Sequence, residues 1–396
     1  MNARRATPNH HRLPRNKALV FQGGGALGSY QGGVYEELHK TNQLPTWIAG
    51  VSIGAINAAL IAGNAPDKRV ERLHEFWSLV SSGPSQRLPH WMADRGTLNK
   101  WSASLATMFG IPGFFKPRVT PALLMGGEAQ ILSYYDTTPL RVTLERLVDF
   151  DRINAREMRL SVGAVNVRTG NSVYFDNTLQ KIGPEHIMAS GALPPGFAPV
   201  EVDGEWYWDG GIVSNTPLQY LLDNHPRSQP LVVMQVDLFN ARGEMPVTMS
   251  DVMTRQKDIT YSSRTRMNTD ALASNVNLQQ AIADLLAKLP AALRNDASVK
   301  AVHAQLCSKP IDIFHLIYRD KPYEGDSKDY EFSRATVEDH WEVGMRDVRR
   351  ALTQPEALVS NAEANGVTTY DLGEPDAVCI KRPMAPSPST TPGSPP

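Results

Sequence analysis

The chain contains 396 residues, of which 41% are hydrophobic and 20% are charged, a balance typical of globular proteins that excludes fibrous and low-complexity chains. Its 40 Lys and Arg residues almost cancel its 41 Asp and Glu residues, which argues against a nucleic-acid partner held by bulk electrostatics. No apolar run is long enough to cross a bilayer, so we expect any contact with a membrane to be peripheral.

Composition divides the chain into four segments. Residues 1–16 form a basic arm that we expect to be disordered, and no apolar stretch typical of a secretory signal follows it. Residues 17–246 alternate short apolar runs with helical stretches and are predicted to form the main domain. Residues 247–383 are predicted to form a mostly helical annex, and residues 384–396 a solvated tail rich in Pro and Ser.

The main domain opens with two copies of one local pattern. An apolar run at 18–21 meets glycines before a helical stretch that begins near Ser29, and a second run at 47–49 meets Gly50 before an alanine-rich helix. Strand, tight turn and helix in this order predict a three-layer α/β fold with a central, mainly parallel sheet.

Further elements are predicted from apolar runs, turn residues and amphipathic spacing. They are a helix from Thr138, a hairpin joining 160–167 to 172–175, a strand at 231–234, helices over 251–306, a strand at 311–318 and an amphipathic helix at 333–352.

The first motif that can carry chemistry is a glycine-rich turn between the first strand and helix, formed by Gly23, Gly24, Gly25, Ala26, Leu27 and Gly28. Glycines let the backbone approach a ligand, and free N–H groups at a helix start favour negative charge. A dinucleotide-binding turn has similar glycines, but it also needs an acidic residue at the end of the second strand, where Ser52 stands instead. A turn that only permits tight packing is the other alternative.

The second motif places Ser52 between Gly50 and Gly54 at the next strand-to-helix turn. In a nucleophile elbow, flanking glycines permit a cramped turn that exposes the serine oxygen to a substrate carbonyl. A serine that only caps the following helix is the alternative. The glycine-rich turn on the preceding strand favours the elbow.

The third motif is Asp209, followed by Gly210 and Gly211. An aspartate beside glycines usually caps its own turn, but together with the other motifs Asp209 becomes a candidate base for Ser52. A Ser-His-Asp triad is the rival arrangement. His225 is the histidine to test for it, although we expect an exposed loop residue there.

These three motifs in this order resemble those of patatin-like phospholipases, which carry a Gly-x-Gly-x-x-Gly turn, a Gly-x-Ser-x-Gly elbow and a distal Asp-Gly-Gly or Asp-Gly-Ala. The likeness extends to residues 189–194 and 215–217 and covers residues 17–245. The remainder resembles the C-terminal extension of a bacterial subgroup of the family. Leu27 departs from the pattern, because the family often has Arg or Lys there, and this bears on selectivity for charged phospholipids.

The resemblance implies a serine acyl hydrolase that cleaves fatty-acyl esters of lipids through an acyl-enzyme, without a metal or organic cofactor. It assigns Ser52 as the nucleophile and Asp209 as the base. The backbone N–H groups that would hold the oxyanion belong to Gly23, Gly24, Gly25 and Ala26. The glycines that shape the three motifs are Gly28, Gly50, Gly54, Gly210 and Gly211.

Two stretches bear on access to lipid. Residues 108–116 combine large apolar side chains with loop residues, which is typical either of a lid that touches a bilayer or of a loop tucked into the core. Residues 278–293 are amphipathic, and we expect them to pack against the protein itself rather than lie on a membrane.

Two other functional classes stay open: a nucleotide-binding oxidoreductase and a catalytically silent lipid-binding scaffold. The two cysteines, Cys307 and Cys379, are too few for a disulfide framework or a four-cysteine zinc site and favour a reducing compartment. We therefore expect a cytoplasmic protein with peripheral contact at a membrane surface.

Overall fold

The computed structural model of the protein describes residues 16–81, 95–118, 132–226, 229–306, 311–319, 324–352 and 367–371. The expected arm, except for its last residue, the expected tail and both cysteines lie outside these ranges.

A mixed sheet forms the centre of the fold. Its strands and a separate two-stranded pair are β1 (Lys17–Phe21), β2 (Trp47–Val51), β3 (Lys116–Pro117), β4 (Tyr135–Asp136), β5 (Arg159–Asn166), β6 (Ser172–Asp176), β7 (Val200–Val202), β8 (Glu205–Asp209), β9 (Leu231–Asp237), β10 (Ile311–Ile317) and β11 (Val367–Asp371). The nine-stranded sheet has the order β11-β10-β9-β1-β2-β5-β8-β7, with β6 paired to β5. All pairings from β11 to β5 are parallel, whereas β6, β7 and β8 are antiparallel to their partners, so the predicted mainly parallel sheet and its hairpin are confirmed.

Helices connect the strands and cover the sheet. They are α1 (Ser29–Lys40), α2 (Ile53–Ala62), α3 (Arg69–Val80), α4 (Arg95–Phe109), α5 (Thr138–Leu147), α6 (Phe150–Asn154), α7 (Pro184–Ser190), α8 (Leu218–Asp223), α9 (Met249–Ala287), α10 (Ala291–Arg294), α11 (Ala297–Gln305) and α12 (Arg334–Leu352). Short 3₁₀ helices lie at Gly25–Gly28 and Gly210–Ile212. Among the described helices, none combines the length and apolarity that a bilayer crossing requires.

The two faces of the sheet bury different side chains, as strand alternation requires. Leu19 and Phe21 of β1 belong to a large core with α1, α2 and α3. Ala18 and Val20 of the same strand belong to a second core with Leu218 and Leu221 of α8. Helices therefore cover both faces, and the predicted three-layer α/β fold is confirmed.

The C-terminal region is built into this fold. Strand β10 pairs in parallel with β9, and β11 pairs in parallel with β10, so both extend the central sheet. Helix α12 packs closely on α1: a Cβ atom on Gly33 would lie 2.0 Å from the carbonyl oxygen of Trp341, and one on Gly344 would lie 2.2 Å from that of Tyr30. The expected helices and strand are confirmed. The described part of the region is mostly helical, as predicted, and its buried, apolar β10 satisfies its backbone by joining the central sheet.

The amphipathic stretch at 278–293 packs only in part against the described protein. Ile282, Leu286 and Leu289 are half-buried, whereas Leu278, Leu285 and Leu293 are 61%, 63% and 52% exposed.

Candidate active site

Ser52 lies in a cramped turn between β2 and α2, as the elbow prediction requires. Its backbone has φ 57° and ψ −126°, and its side chain is half-buried. A non-glycine residue in such a conformation stores on the order of 1–3 kcal/mol of strain. The flanking glycines are required by space, because a Cβ atom on Gly50 would lie 2.3 Å from the carbonyl oxygen of Gly54, and one on Gly54 would lie 2.6 Å from that of Phe21.

The sheet brings Asp209 to Ser52 through their shared partner strand, β5. Strand β2 pairs with the first part of β5 and β8 with its last part, while β6 occupies the opposite edge of β5. Strands β2 and β8 therefore meet end to end along one edge. Val51 stands opposite Gly163 and Asp209 opposite Ala164, at adjacent positions. Ser52 directly follows β2, and Asp209 is the last residue of β8, so the two residues lie close together.

The carboxyl group of Asp209 is buried, with 2% of the residue exposed. It accepts a hydrogen bond from the N–H of Gly211 at 2.7 Å. Burial raises the pKa of Asp209 from 3.8 to about 6, and the nearby Ser52 side chain and the Gly211 N–H limit this rise. Asp209 thus caps its own turn and also lies close to the serine. At neutral pH it is ionised beside a hydroxyl proton.

One segment at the end of α7 holds the backbones of both residues. The Ser190 hydroxyl accepts the N–H of Ser52 at 2.9 Å and donates to the carbonyl of Gly163 at 2.6 Å. Two residues later, the carbonyl of Ala192 accepts the N–H of Asp209 at 3.0 Å. The sequence showed only that this segment resembles the family. It did not predict the role of Ser190, because a serine that accepts a distant backbone N–H has no recognisable local sequence pattern.

Replacing Ser190 with alanine should destabilise the protein by about 1–3 kcal/mol, because it leaves the N–H of Ser52 and the buried carbonyl of Gly163 without their partner. The released elbow should also lower kcat, by roughly tenfold. Urea unfolding and p-nitrophenyl ester hydrolysis measure the two effects. Ser172→Ala, at an exposed position of β6, is the matched control. Native stability and native kcat in Ser190→Ala would show that the elbow does not depend on this bond.

The glycine-rich turn lies directly beside the elbow, since a Cβ atom on Gly23 would be 3.0 Å from Cβ of Ser52. Both ends of the turn are bonded to protein carbonyls. The N–H of Gly23 donates to the carbonyl of Asn215 at 3.1 Å, and the N–H of Ala26 donates to the carbonyl of Asp329 at 2.7 Å. These two expected oxyanion donors are therefore already committed.

The middle of the turn is different. The N–H groups of Gly24 and Gly25 have no acceptor among the residues that the structure describes. Gly25 has φ 54°, in the left-handed region that favours glycine. Leu27, in the position where the family often has a cation, is fully buried in the core. At this position the turn is anchored by apolar packing.

A buried amide supports the turn from behind. The Gln22 side-chain oxygen accepts the N–H groups of Leu238 at 2.6 Å and Phe239 at 3.0 Å. Its nitrogen donates to the hydroxyl of Thr216 at 3.0 Å and to the carbonyl of Tyr261 at 3.3 Å. Gln22 is fully buried, so these bonds specify how the end of β1 meets the segment that follows β9 and helix α9.

The histidines proposed from sequence lie in local contacts. His225 is 9% exposed, so the expectation of an exposed residue is wrong, and its Nε2 donates to the carbonyl of Gln229 at 2.8 Å. His186 is buried on α7, where its Nδ1 accepts the N–H of Gly183 at 2.9 Å, as local packing predicts. Within the described ranges, no group of three or more His, Cys, Asp or Glu side chains is placed to hold a metal ion.

The stretch at 108–116 is exposed at its first residues and buried in the core at its later ones, so a role as a lid stays a prediction. Met108 and Phe109, at the end of α4, are 67% and 69% exposed. Ile111, Phe114 and Phe115 are buried in the main core. The stretch is therefore anchored by its second half and presents apolar side chains at its first.

Comparison with solved structures finds several with low identity. They include VipD from Legionella pneumophila (14% identity, TM-score 0.35, 84% of this chain and 67% of that chain) and human GIVD cytosolic phospholipase A2 (10% identity, TM-score 0.35, 88% and 63%). A third is the ExoU–SpcU complex from the type III secretion system of Pseudomonas aeruginosa (14% identity, TM-score 0.28, 86% and 76%). The chain spans about two thirds of the length of the first two.

Comparison with sequence families gives two matches, whereas comparison with curated protein sequences finds none. A family profile described as patatin phospholipase matches residues 259–363, in the C-terminal region. The profile described as patatin-like phospholipase matches residues 19–222, which is more than half of the chain and includes all three motifs. The protein therefore belongs to the patatin-like phospholipase family and is a lipid ester hydrolase.

Proposed function

We propose that the protein hydrolyses fatty-acyl esters of lipids, phospholipids included, with Ser52 as the nucleophile and Asp209 as the general base. The observation that carries this proposal is that Ser52 lies beside Asp209, a buried carboxyl group whose pKa is about 6, at the adjacent ends of β2 and β8. A general base works best when its pKa lies near the operating pH. Membership of the family supports a lipid ester as the substrate.

In the first half of the proposed reaction, Asp209 accepts the hydroxyl proton while the Ser52 oxygen attacks the ester carbonyl carbon. The tetrahedral intermediate then collapses. The bond to the alcohol oxygen breaks, and the leaving alcohol takes the proton from Asp209. An acyl-enzyme on Ser52 remains.

In the second half, Asp209 takes a proton from water as the water oxygen attacks the acyl carbon. A second tetrahedral intermediate collapses, the Ser52 oxygen leaves with the proton from Asp209, and the fatty acid is released. One carboxyl group therefore serves as base and then as acid in each half, and no third residue is required to shuttle the proton.

The oxyanion of both intermediates is proposed to bind the N–H groups of Gly24 and Gly25. Gly23 and Ala26 leave the expected set because their N–H groups donate to protein carbonyls. Removing one oxyanion donor costs about 2.7–4 kcal/mol of transition-state stabilisation. With two available donors, this turn would supply the main electrostatic stabilisation of the transition state.

Peripheral contact with a membrane surface is proposed to occur where apolar side chains are exposed on α4 and α9. Met108 and Phe109 lie at the end of α4, and Met249 and Met253, 74% and 52% exposed, lie at the start of α9. The two helices line a cavity of about 590 Å³ together with residues such as Tyr330. The cytoplasmic location inferred from cysteine usage stays a prediction.

A fluorophosphonate probe tests the proposal against its alternatives. We expect the probe to label Ser52 covalently, as identified by peptide mass spectrometry, and phospholipid vesicles to slow the labelling by competition. Labelling should disappear in Ser52→Ala. A lipid-binding scaffold would bind the vesicles without being labelled, and an oxidoreductase would bind NAD without being labelled. Either pattern would refute the proposed hydrolase.

A further inference from the structure

A short stretch of the C-terminal region reaches over the glycine-rich turn. The carbonyl oxygen of Asp329 accepts the N–H of Ala26 at 2.7 Å, and a Cβ atom on Gly25 would lie 2.0 Å from the same oxygen. The backbone at residue 329 therefore touches the turn that carries the proposed oxyanion donors. No residue with a side chain can replace Gly25 without displacing that carbonyl.

Two ion pairs tie this stretch to helix α9. The ammonium group of Lys257 contacts the carboxylate of Asp329 at 2.7 Å and donates to the carbonyl of Asp326 at 2.6 Å. The next residue of the helix, Asp258, accepts from Lys328 at 2.6 Å, in a pair whose lysine is fully buried. Two consecutive helix residues thus hold two consecutive residues of the stretch, each lysine paired with the aspartate of the other segment. We call these five residues the clamp.

Helix α9 also contacts the turn from a second direction. One helical turn after the clamp, the carbonyl of Tyr261 accepts a hydrogen bond from Gln22 at 3.3 Å, and its ring packs on Phe239 with 5.0 Å between centroids. Phe239 in turn encloses Gly24, because a Cβ atom on Gly24 would lie 3.1 Å from the Phe239 ring. Helix α9 therefore supports the turn at two places: through the clamp at Asp329, and through the contact of Tyr261 with Phe239.

We propose that the clamp positions the oxyanion donors, so that the C-terminal region completes the active site. The turn is bonded at Gly23 and at Ala26, and the N–H groups of Gly24 and Gly25 between them keep one orientation only while Asp329 stays in place. Donors that are oriented before the reaction stabilise the transition state without reorganising. This inference rests on the proposed function, because it requires an oxyanion at the turn.

Lys257 is the clamp residue that tests the proposal most directly. Its side chain is 23% exposed, so methionine can keep the apolar packing while both of its hydrogen bonds are lost. Replacing one partner of the buried Lys328 pair would instead leave an uncompensated charge in the core and endanger folding. The contact from Asp329 to the turn belongs to the backbone and cannot be removed by substitution.

We expect Lys257→Met to lower kcat for p-nitrophenyl butyrate roughly ten- to hundredfold, because small displacements of catalytic groups have effects of this size. The KM should stay within about twofold, since oxyanion contacts form only in the transition state. A fatty-acyl trifluoromethyl ketone, which forms an oxyanion on Ser52, should bind more weakly by the factor by which kcat/KM falls. A non-hydrolysable ether analogue of the lipid should bind as it does to the native protein. Lys257→Arg should restore most of kcat.

Arg146→Met is the matched control, because Arg146 of α5 pairs with Glu75 of α3 at 3.6 Å, and both side chains are exposed and outside the clamp. It should leave kcat and ketone binding unchanged. Native kcat in Lys257→Met would overturn the proposal, and so would equal losses of ketone and ether-analogue binding together with a lower unfolding midpoint. The proposed function is tested separately: if Ser52→Ala retains turnover, the hydrolase assignment fails whatever Lys257→Met does.

Discussion

Replacing Ser52 with alanine should reduce acyl-ester turnover by about 10⁴- to 10⁶-fold, the range expected when the nucleophile of a serine hydrolase is removed. Alanine keeps the small size and strained backbone of the elbow, so the unfolding midpoint should stay close to that of the native protein. Fatty-acid release from a panel of phospholipid, lysophospholipid and glyceride substrates, with Ser52→Ala as the blank, measures this effect and also identifies the lipid that the protein prefers.

Ser78→Ala is a suitable control for this experiment, because Ser78 is exposed on α3 and distant in sequence from all three motifs. It should have native activity. If Ser52→Ala keeps a substantial part of the native rate while Ser78→Ala does the same, the nucleophile is elsewhere. The double variant Ser52→Ala/Asp209→Asn should be no less active than Ser52→Ala, since residues that act as one unit are not additive.

Replacing Asp209 with asparagine should lower kcat by on the order of 10⁴-fold, the loss seen when the carboxylate of a catalytic triad is neutralised. Asparagine keeps an oxygen for the N–H of Gly211, but it cannot take the serine proton. The native protein should also show kcat/KM rising tenfold per pH unit below the pKa of Asp209, which is about 6, and levelling above it. A pH–rate profile on p-nitrophenyl butyrate tests both statements.

The same substitution should make the protein more stable at neutral pH. Folding raises the pKa of Asp209 from 3.8 to about 6, so the folded state holds this proton more tightly than the unfolded state. The stability that this provides is complete below pH 3.8 and is lost as the pH rises through about 6. A raised pKa of this size corresponds to about 3 kcal/mol. The free energy of unfolding of Asp209→Asn should therefore exceed that of the native protein by up to about 3 kcal/mol at pH 7.5. Near pH 4 the difference between the two should be much smaller.

Two results would contradict this account of Asp209. The first is a native protein whose kcat/KM does not change between pH 5 and pH 7. The second is a His225→Ala variant that loses as much activity as Ser52→Ala, which would replace the dyad with a triad. Because His225 donates to the carbonyl of Gln229, we expect His225→Ala to keep most of the native rate.

Much of the fold follows from local sequence patterns. The apolar runs that become β1, β2 and β9 are short, bounded by turn residues, and buried on both faces. Such runs can be recognised in a sequence without knowledge of the tertiary structure. Strand β10 was also predicted, but its membership of the central sheet was not. Which strands pair is decided by contacts between distant segments, and these leave no periodicity in either segment.

The sequence by itself determined that Ser52 lies in a glycine-flanked turn after a strand, because only glycine fits at Gly50 and Gly54. Tertiary structure alone decided that Asp209 meets it, because β2 and β8 end at adjacent positions of β5. It also decided which N–H groups of the glycine-rich turn stay available. A backbone carbonyl has no residue identity, so the contact between Asp329 and Ala26 cannot be read from either sequence segment.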